Sequence, residues 1–92
     1  MTYRVIFLGR VIDQLAAIHL AAVERGWDTA ANNAAMARIE TGLGRSPNEC
    51  GESRAGSERV WIERPITAWF EVHEDEQTVV VLALRYRAPK SG

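Results

Sequence analysis

The chain has one cysteine, Cys50, and only two histidines, His19 and His73. A single cysteine excludes an internal disulfide and fits a reducing compartment. The two histidines and the cysteine lie too far apart in the chain for zinc-ligand spacing. No apolar run approaches the ~18 residues that a membrane-crossing helix needs. The apolar stretch within Met1 to Gly9 is too short for a secretory signal, and no small-residue cleavage site follows it. A cytoplasmic location is expected. An excess of charge is missing too: the net charge is −1, whereas proteins that hold nucleic acid through many phosphates usually carry a basic surplus. The glycines at 42, 44 and 51 form no phosphate-binding loop. No motif calls for a cofactor or a metal.

What is present is ordinary globular material. The 92 residues are 47% hydrophobic and 25% charged, which suits one domain spanning 1–92. A chain of this size buries only about 60–65% of its unfolded surface, so a bound partner could add much stability.

Tyr3 to Leu8 reads as a strand, with Tyr3, Val5 and Phe7 on one face and Arg4, Ile6 and Leu8 on the other. Helical periodicity starts between Val11 and Gln14 and runs through Leu15, Ile18/His19 and Ala22/Val23. Asp13 is a candidate N-cap, and Gly26 a C-terminal stop. Asp28 or Thr29 caps a second, alanine-rich helix that Gly42 and Gly44 end. The stretch from Gly44 to Ser57, with its glycines, proline and serines, reads as an irregular loop. Three strands follow, near Arg59–Glu63, Ile66–His73 and Thr78–Tyr86, cut by Arg64-Pro65 and by Glu74-Asp75-Glu76-Gln77. The order β-α-α-β-β-β predicts an α+β domain of two layers with a mostly antiparallel sheet.

Two features of the last strands bear on function. Thr78-Val79-Val80-Val81-Leu82-Ala83-Leu84 is apolar at every second position on both faces, and Trp69 stands opposite the Ile66/Ala68/Phe70/Val72 face. Two helices cover one side of such a sheet; the other needs the long loop, a second copy or a partner. Trp61 and Trp69 are expected to serve that core or interface. The chain then ends with Arg85, Arg87 and Lys90 and no acid among them, a pattern suited to phosphate or acidic-peptide contacts or to a solvated tail. His73, between Glu71 and Glu74, reads as a surface histidine rather than a general base. His19 reads as a core or boundary residue. Cys50 has no paired histidine motif to make it a nucleophile.

This order of elements, with four stretches of sequence, resembles the RelE/ParE superfamily of bacterial toxins from toxin–antitoxin operons. The stretches are the opening Tyr3-Arg4-Val5-Ile6-Phe7 strand and the helical hairpin ending in Gly42-Leu43-Gly44-Arg45-Ser46-Pro47. Gly51-Glu52-Ser53-Arg54 then leads into Arg59-Val60-Trp61-Ile62, and Ala68-Trp69-Phe70-Glu71-Val72 pairs with the closing strand to Arg87. The resemblance implies a cognate antitoxin as partner. It also implies one of two targets: ribosome-bound mRNA, cleaved as by an mRNA interferase, or DNA gyrase, bound without RNA cleavage as in the ParE branch. A role in plasmid stabilisation and a homodimer are compatible with it.

In the ribosome-dependent nucleases of this superfamily, basic and aromatic residues on the open sheet face stabilise the charge that develops on the scissile phosphate. Carried over by position, Arg87 becomes the principal charge donor, with Tyr86 and Arg85 as neighbours and Arg64 as a second donor. Thr67 stands where those nucleases have a basic residue, which is a departure. The other class of function is a non-catalytic interaction domain of the same fold.

Overall fold

A computed structural model describes residues 2–87. The first strand, β1 (Arg4–Phe7), leads into helix α1 (Gly9–Arg25) and then α2 (Thr29–Arg45). Four strands follow: β2 (Glu52–Ala55), β3 (Glu58–Glu63), β4 (Ile66–His73) and β5 (Thr78–Tyr86). They form one sheet in the order β1-β5-β4-β3-β2, antiparallel except where β1 pairs with β5. The fold is α+β with both helices on one face, as expected from the sequence. No helix among the described residues is long and apolar enough to cross a membrane.

Helix α1 starts two residues earlier than the periodicity suggested, with Leu8 rather than Asp13 at the cap and no side-chain cap bond. Gly26 closes it in the left-handed conformation, φ 69°, as a glycine does without steric cost. Asp28 caps α2 by accepting from the Ala31 N–H. Gly42 and Gly44 do not end α2, which continues to Arg45. Packing overrides the glycines' low helix propensity here, because Leu43 between them is fully buried.

The stretch expected to be an irregular loop is partly ordered. It contains a single 3-10 turn, Pro47–Glu49, and the edge strand β2. The entry into β2, where the chain passes close to β3, needs glycine at 51: φ is 65°, and a Cβ there would lie 2.0 Å from the Val60 carbonyl oxygen. Arg59 staples this segment down, donating from Nε to the Cys50 carbonyl at 3.0 Å and from Nη2 to the Gly51 carbonyl at 3.0 Å. The loop lies against the helix side, where Cys50 is buried, and it leaves the opposite sheet face uncovered.

Cross-strand register assigns every residue to a face, because directly paired residues share one. Val72 pairs with Val79, Phe70 with Val81, Ala68 with Leu84 and Ile66 with Tyr86. These side chains, with Ile39 and Leu43 of α2, Val11 of α1 and Cys50, form the core under the helices. The inward positions of β5 are odd-numbered up to Val81 and even-numbered from Leu84. A β-bulge causes the switch: Trp69 pairs with Ala83 while Phe70 pairs with Val81, so Leu82 is an extra residue. This is why β5 reads as apolar on both faces.

Trp61 and Trp69 therefore part company. Trp61 pairs with Ala68 and lies beneath α2, where a Cβ on Gly42 would meet its Cη2 at 2.7 Å. The expectation that both tryptophans serve the uncovered face is corrected for Trp61. His19 is exposed rather than at the core boundary. The acidic turn between β4 and β5 is a 3-10 turn, and Glu74 accepts a hydrogen bond from Asn48 Nδ2, which ties the turn to the Pro47–Glu49 segment.

Candidate functional site

The open face of the sheet is polarised along its strands. One end carries Glu58 directly across from Glu71, with His73 beside Glu71 at 3.4 Å and the acidic turn beyond. At the same strand end, but toward the helix side, a groove of about 550 Å³ is lined by Asn48, Arg59, Val72, His73 and Glu74 to Glu76. Arg64, Arg85 and Arg87 gather at the opposite end.

Each arginine is placed by backbone pairing. Arg85 follows Leu84 in β5, one residue past the inward position, so it projects to the open face and is exposed. Directly opposite it is Thr67. The Arg85 guanidinium leans along the open face toward Trp69. Arg87 continues the pairing, its N–H donating to the Pro65 carbonyl at 3.0 Å. That bond brings the end of β5 against the β3–β4 turn, so exposed Arg64 reaches the same end of the sheet as Arg87. Strand alternation puts Arg87 on the side of Arg85. None of the three takes part in an ion pair among the described residues. Lys90 lies outside the described residues.

Tyr86 does not join them. It points to the helix side, where its ring stacks on Trp27 with centroids 4.4 Å apart and planes at 19°. Arg25 also lies over the Trp27 ring, 5.3 Å from its centroid. The turn between α1 and α2 thereby holds Tyr86 in place as a packing residue, partly buried against the core. On the helix side of this end, Arg38 and Glu63 form an ion pair at 2.6 Å.

Two residues near the arginines, Arg10 and Gln14, were not singled out by sequence. Arg10 Nε donates to the Leu82 carbonyl at 3.1 Å, and Gln14 Oε1 accepts from the Leu84 N–H at 2.9 Å. They satisfy the edge of β5 beyond the point where β1 stops. Trp69 lies under the Arg85 guanidinium, 5.7 Å from ring centroid to Cζ. The bulge made these placements hard to foresee, since it sets which backbone groups of β5 face α1.

Chemically, the basic end offers positive charge but neither histidine: His73 lies at the far end of β4 and His19 is exposed on α1. No group of three or more metal-ligating side chains occurs among the described residues. Cys50 is buried, and burial pushes its thiol above the usual range, with Arg59 pulling the other way and Glu49 and Glu63 adding to the rise. A neutral thiol is a poor nucleophile.

The fold has a solved counterpart. The chain is similar to one in the crystal structure of the toxin–antitoxin complex RelBE2 from Mycobacterium tuberculosis, at 18% identity, with a TM-score of 0.71, over 95% of this chain and 100% of that one. The architecture is the RelE-type toxin fold. No family model and no curated protein matches the sequence.

Proposed function

We propose that the chain is the toxin component of a type II toxin–antitoxin pair and that its basic sheet end engages the phosphate backbone of ribosome-bound mRNA. The observation that supports this reading is that Arg85 stands on the open face of a RelE-type fold and that the Arg87 backbone is bonded to the turn that carries Arg64. Arg87 supplies charge to the phosphate as the RNA 2′-hydroxyl attacks, and Arg85 takes the place of the basic residue absent at Thr67. With no histidine within reach, the contribution is electrostatic: preorganised donors aimed at the charge that develops in the transition state. The antitoxin is a small acidic protein that covers this face in the resting complex, which also suits a soluble, cytoplasmic pair.

One observation favours a second reading. Tyr86, the aromatic candidate for proton transfer or stacking, is turned to the helices and stacked on Trp27. A chain that binds a partner or a replication target such as DNA gyrase without cutting RNA has no need of that residue.

Induced expression in a bacterial host, with and without the neighbouring small acidic protein, tests the reading. Growth arrest relieved by the neighbour is expected, together with cleavage of ribosome-bound message mapped by primer extension. Arg87→Ala should lower cleavage by about 10²–10³-fold, the usual effect of losing one preorganised donor. If parent and variant arrest growth equally and neither cuts message, the binding-only reading stands.

A further inference from the structure

We infer that Trp69 is a stacking platform for one unpaired nucleobase, in a groove that continues from the basic end of the open face. This rests on the RNA-directed reading above and adds a binding residue to it. The groove has a volume of about 480 Å³ and crosses the sheet from Glu58 past Trp69 and Ala83 to Arg85, Arg10 and Gln14. That volume lies within the ~300–1,000 Å³ of small-ligand sites.

Its parts match a nucleotide in order. Ala83, directly across from Trp69, leaves room beside the indole that a larger residue would fill. Trp69 is the open-face member of the three tryptophans, since Trp27 is stacked on Tyr86 and Trp61 lies beneath α2. Among the described residues, Arg85 over the indole has no ion pair and no side-chain hydrogen bond to hold it. A cation–π contact at an exposed site is weaker than base–aromatic stacking. The guanidinium therefore gives up the ring to a base and takes the phosphate attached to it. Arg87, two residues further on the same face, lies about 6–7 Å along the strand and meets the next phosphate. At the other end of the groove, Glu58 excludes phosphate and accepts from a base amino group, as carboxylates do with cytosine N4. The groove thus has a polarity, with base toward Glu58 and backbone toward the arginines. A single local site of this kind is compatible with a net charge of −1, because it relies on stacking as much as on phosphate neutralisation.

The test uses the whole chain and a fluorescein-labelled, mixed-sequence single-stranded hexaribonucleotide at low salt, without ribosomes, read by anisotropy. Trp69→Ala should weaken binding by about 5- to 150-fold, the range expected for loss of one stacked base. Trp69→Phe, which keeps a ring, should restore most of it. Circular dichroism should show both variants folded, since position 69 lies on the open face. A hexamer that binds parent and Trp69→Ala equally overturns the inference even if Arg87→Ala abolishes growth arrest. No binding by the parent also overturns it and leaves the groove to a protein partner. If Trp69 governs hexamer binding but expression never arrests growth, the toxin reading fails and the stacking site remains.

Discussion

The two faces of this sheet are built from nearly the same residue types and do different things. Each has a tryptophan, valines and an arginine. On the helix face Trp61 is clamped under Gly42, Tyr86 is stacked on Trp27, and Arg59 has both its hydrogen bonds on loop carbonyls. On the open face Trp69 lies between Val60 and Ala83 under the Arg85 guanidinium, and Arg85 forms no ion pair among the described residues. Composition does not separate the faces; what covers them does. Side chains with fixed partners stabilise the fold, and those left unpartnered on the open face are free to bind something else.

One residue decides which face the basic end of β5 belongs to. Strict alternation from Val79 and Val81 would put residues 83, 85 and 87 under the helices and Leu84 and Tyr86 outside. The extra residue Leu82 reverses this. Exchanging the residues at 84 and 85 (Leu84→Arg with Arg85→Leu) should therefore put a charge at a buried position under the helices and a leucine in water. The expected cost exceeds about 4–5 kcal/mol, since an unpaired charge would be buried. Circular dichroism should show no cooperative melt, or one far below the parent's. A melt within a few degrees of the parent's would mean that position 84 does not face the core beyond the bulge.

This also explains what the sequence could and could not disclose. The alternation in Ile66-Thr67-Ala68-Trp69-Phe70-Glu71-Val72 gave the correct inward face of β4, and Gly26 and Asp28 marked a helix end and a helix start. Those are local signals with local causes. The apolar run in β5 was visible, but its cause was not, because a bulge is defined only against the partner strand. The face of Trp61 was missed for a similar reason: it depends on pairing with Ala68 and on space above Gly42, two positions distant in the chain. Edge strand β2, exposed along its whole length, has no buried periodicity to reveal it. Of the candidate site, Arg85, Arg87 and Arg64 were legible as charges near a strand end and a turn, whereas Arg10, Gln14 and the inward turn of Tyr86 required the register.

Alanine at the two tryptophans sharpens the comparison directly. Trp61→Ala should cost about 2–4 kcal/mol in chemical denaturation, through the cavity left beneath α2. Trp69→Ala should cost about 1 kcal/mol or less, because its outer side faces water. Equal losses would mean that the open face is as tightly packed as the core. Two glycines of α2 make a smaller contrast of the same kind. Gly42→Ala puts a methyl group 2.7 Å from Trp61 Cη2 and should destabilise by about 1–2 kcal/mol. At Gly44 the nearest atom to a new Cβ is the Tyr3 carbonyl oxygen at 3.8 Å. There helix propensity governs, and Gly44→Ala should stabilise by about 0.5–1 kcal/mol. If Gly42→Ala also stabilises, Trp61 is not held where the helix face requires it.

The smallest expected effect concerns Cys50, whose sulfur lies 3.2 Å from the position a Cβ on Gly42 would take and therefore reports on the pocket around Trp61. Burial raises its pKa, against the pull of Arg59. The folded state thus keeps the thiol proton to higher pH than the unfolded chain does. By linkage, the stabilisation is fully present below the unfolded thiol's pKa of about 8.5, and it is lost as pH rises through the folded value. Ionisation would also remove the S–H that donates to the Ser46 carbonyl at 3.3 Å. Stability measured by urea denaturation should therefore decline from about pH 8.5 upward in the parent and decline less in Cys50→Ala or Cys50→Val. The thiol should react with a disulfide reagent at pH 7.5 more slowly in the folded protein than in urea. Reaction at equal rates would show that solvent reaches the Cys50 side of the Trp61 pocket, and the helix face would then be no drier there than the open one.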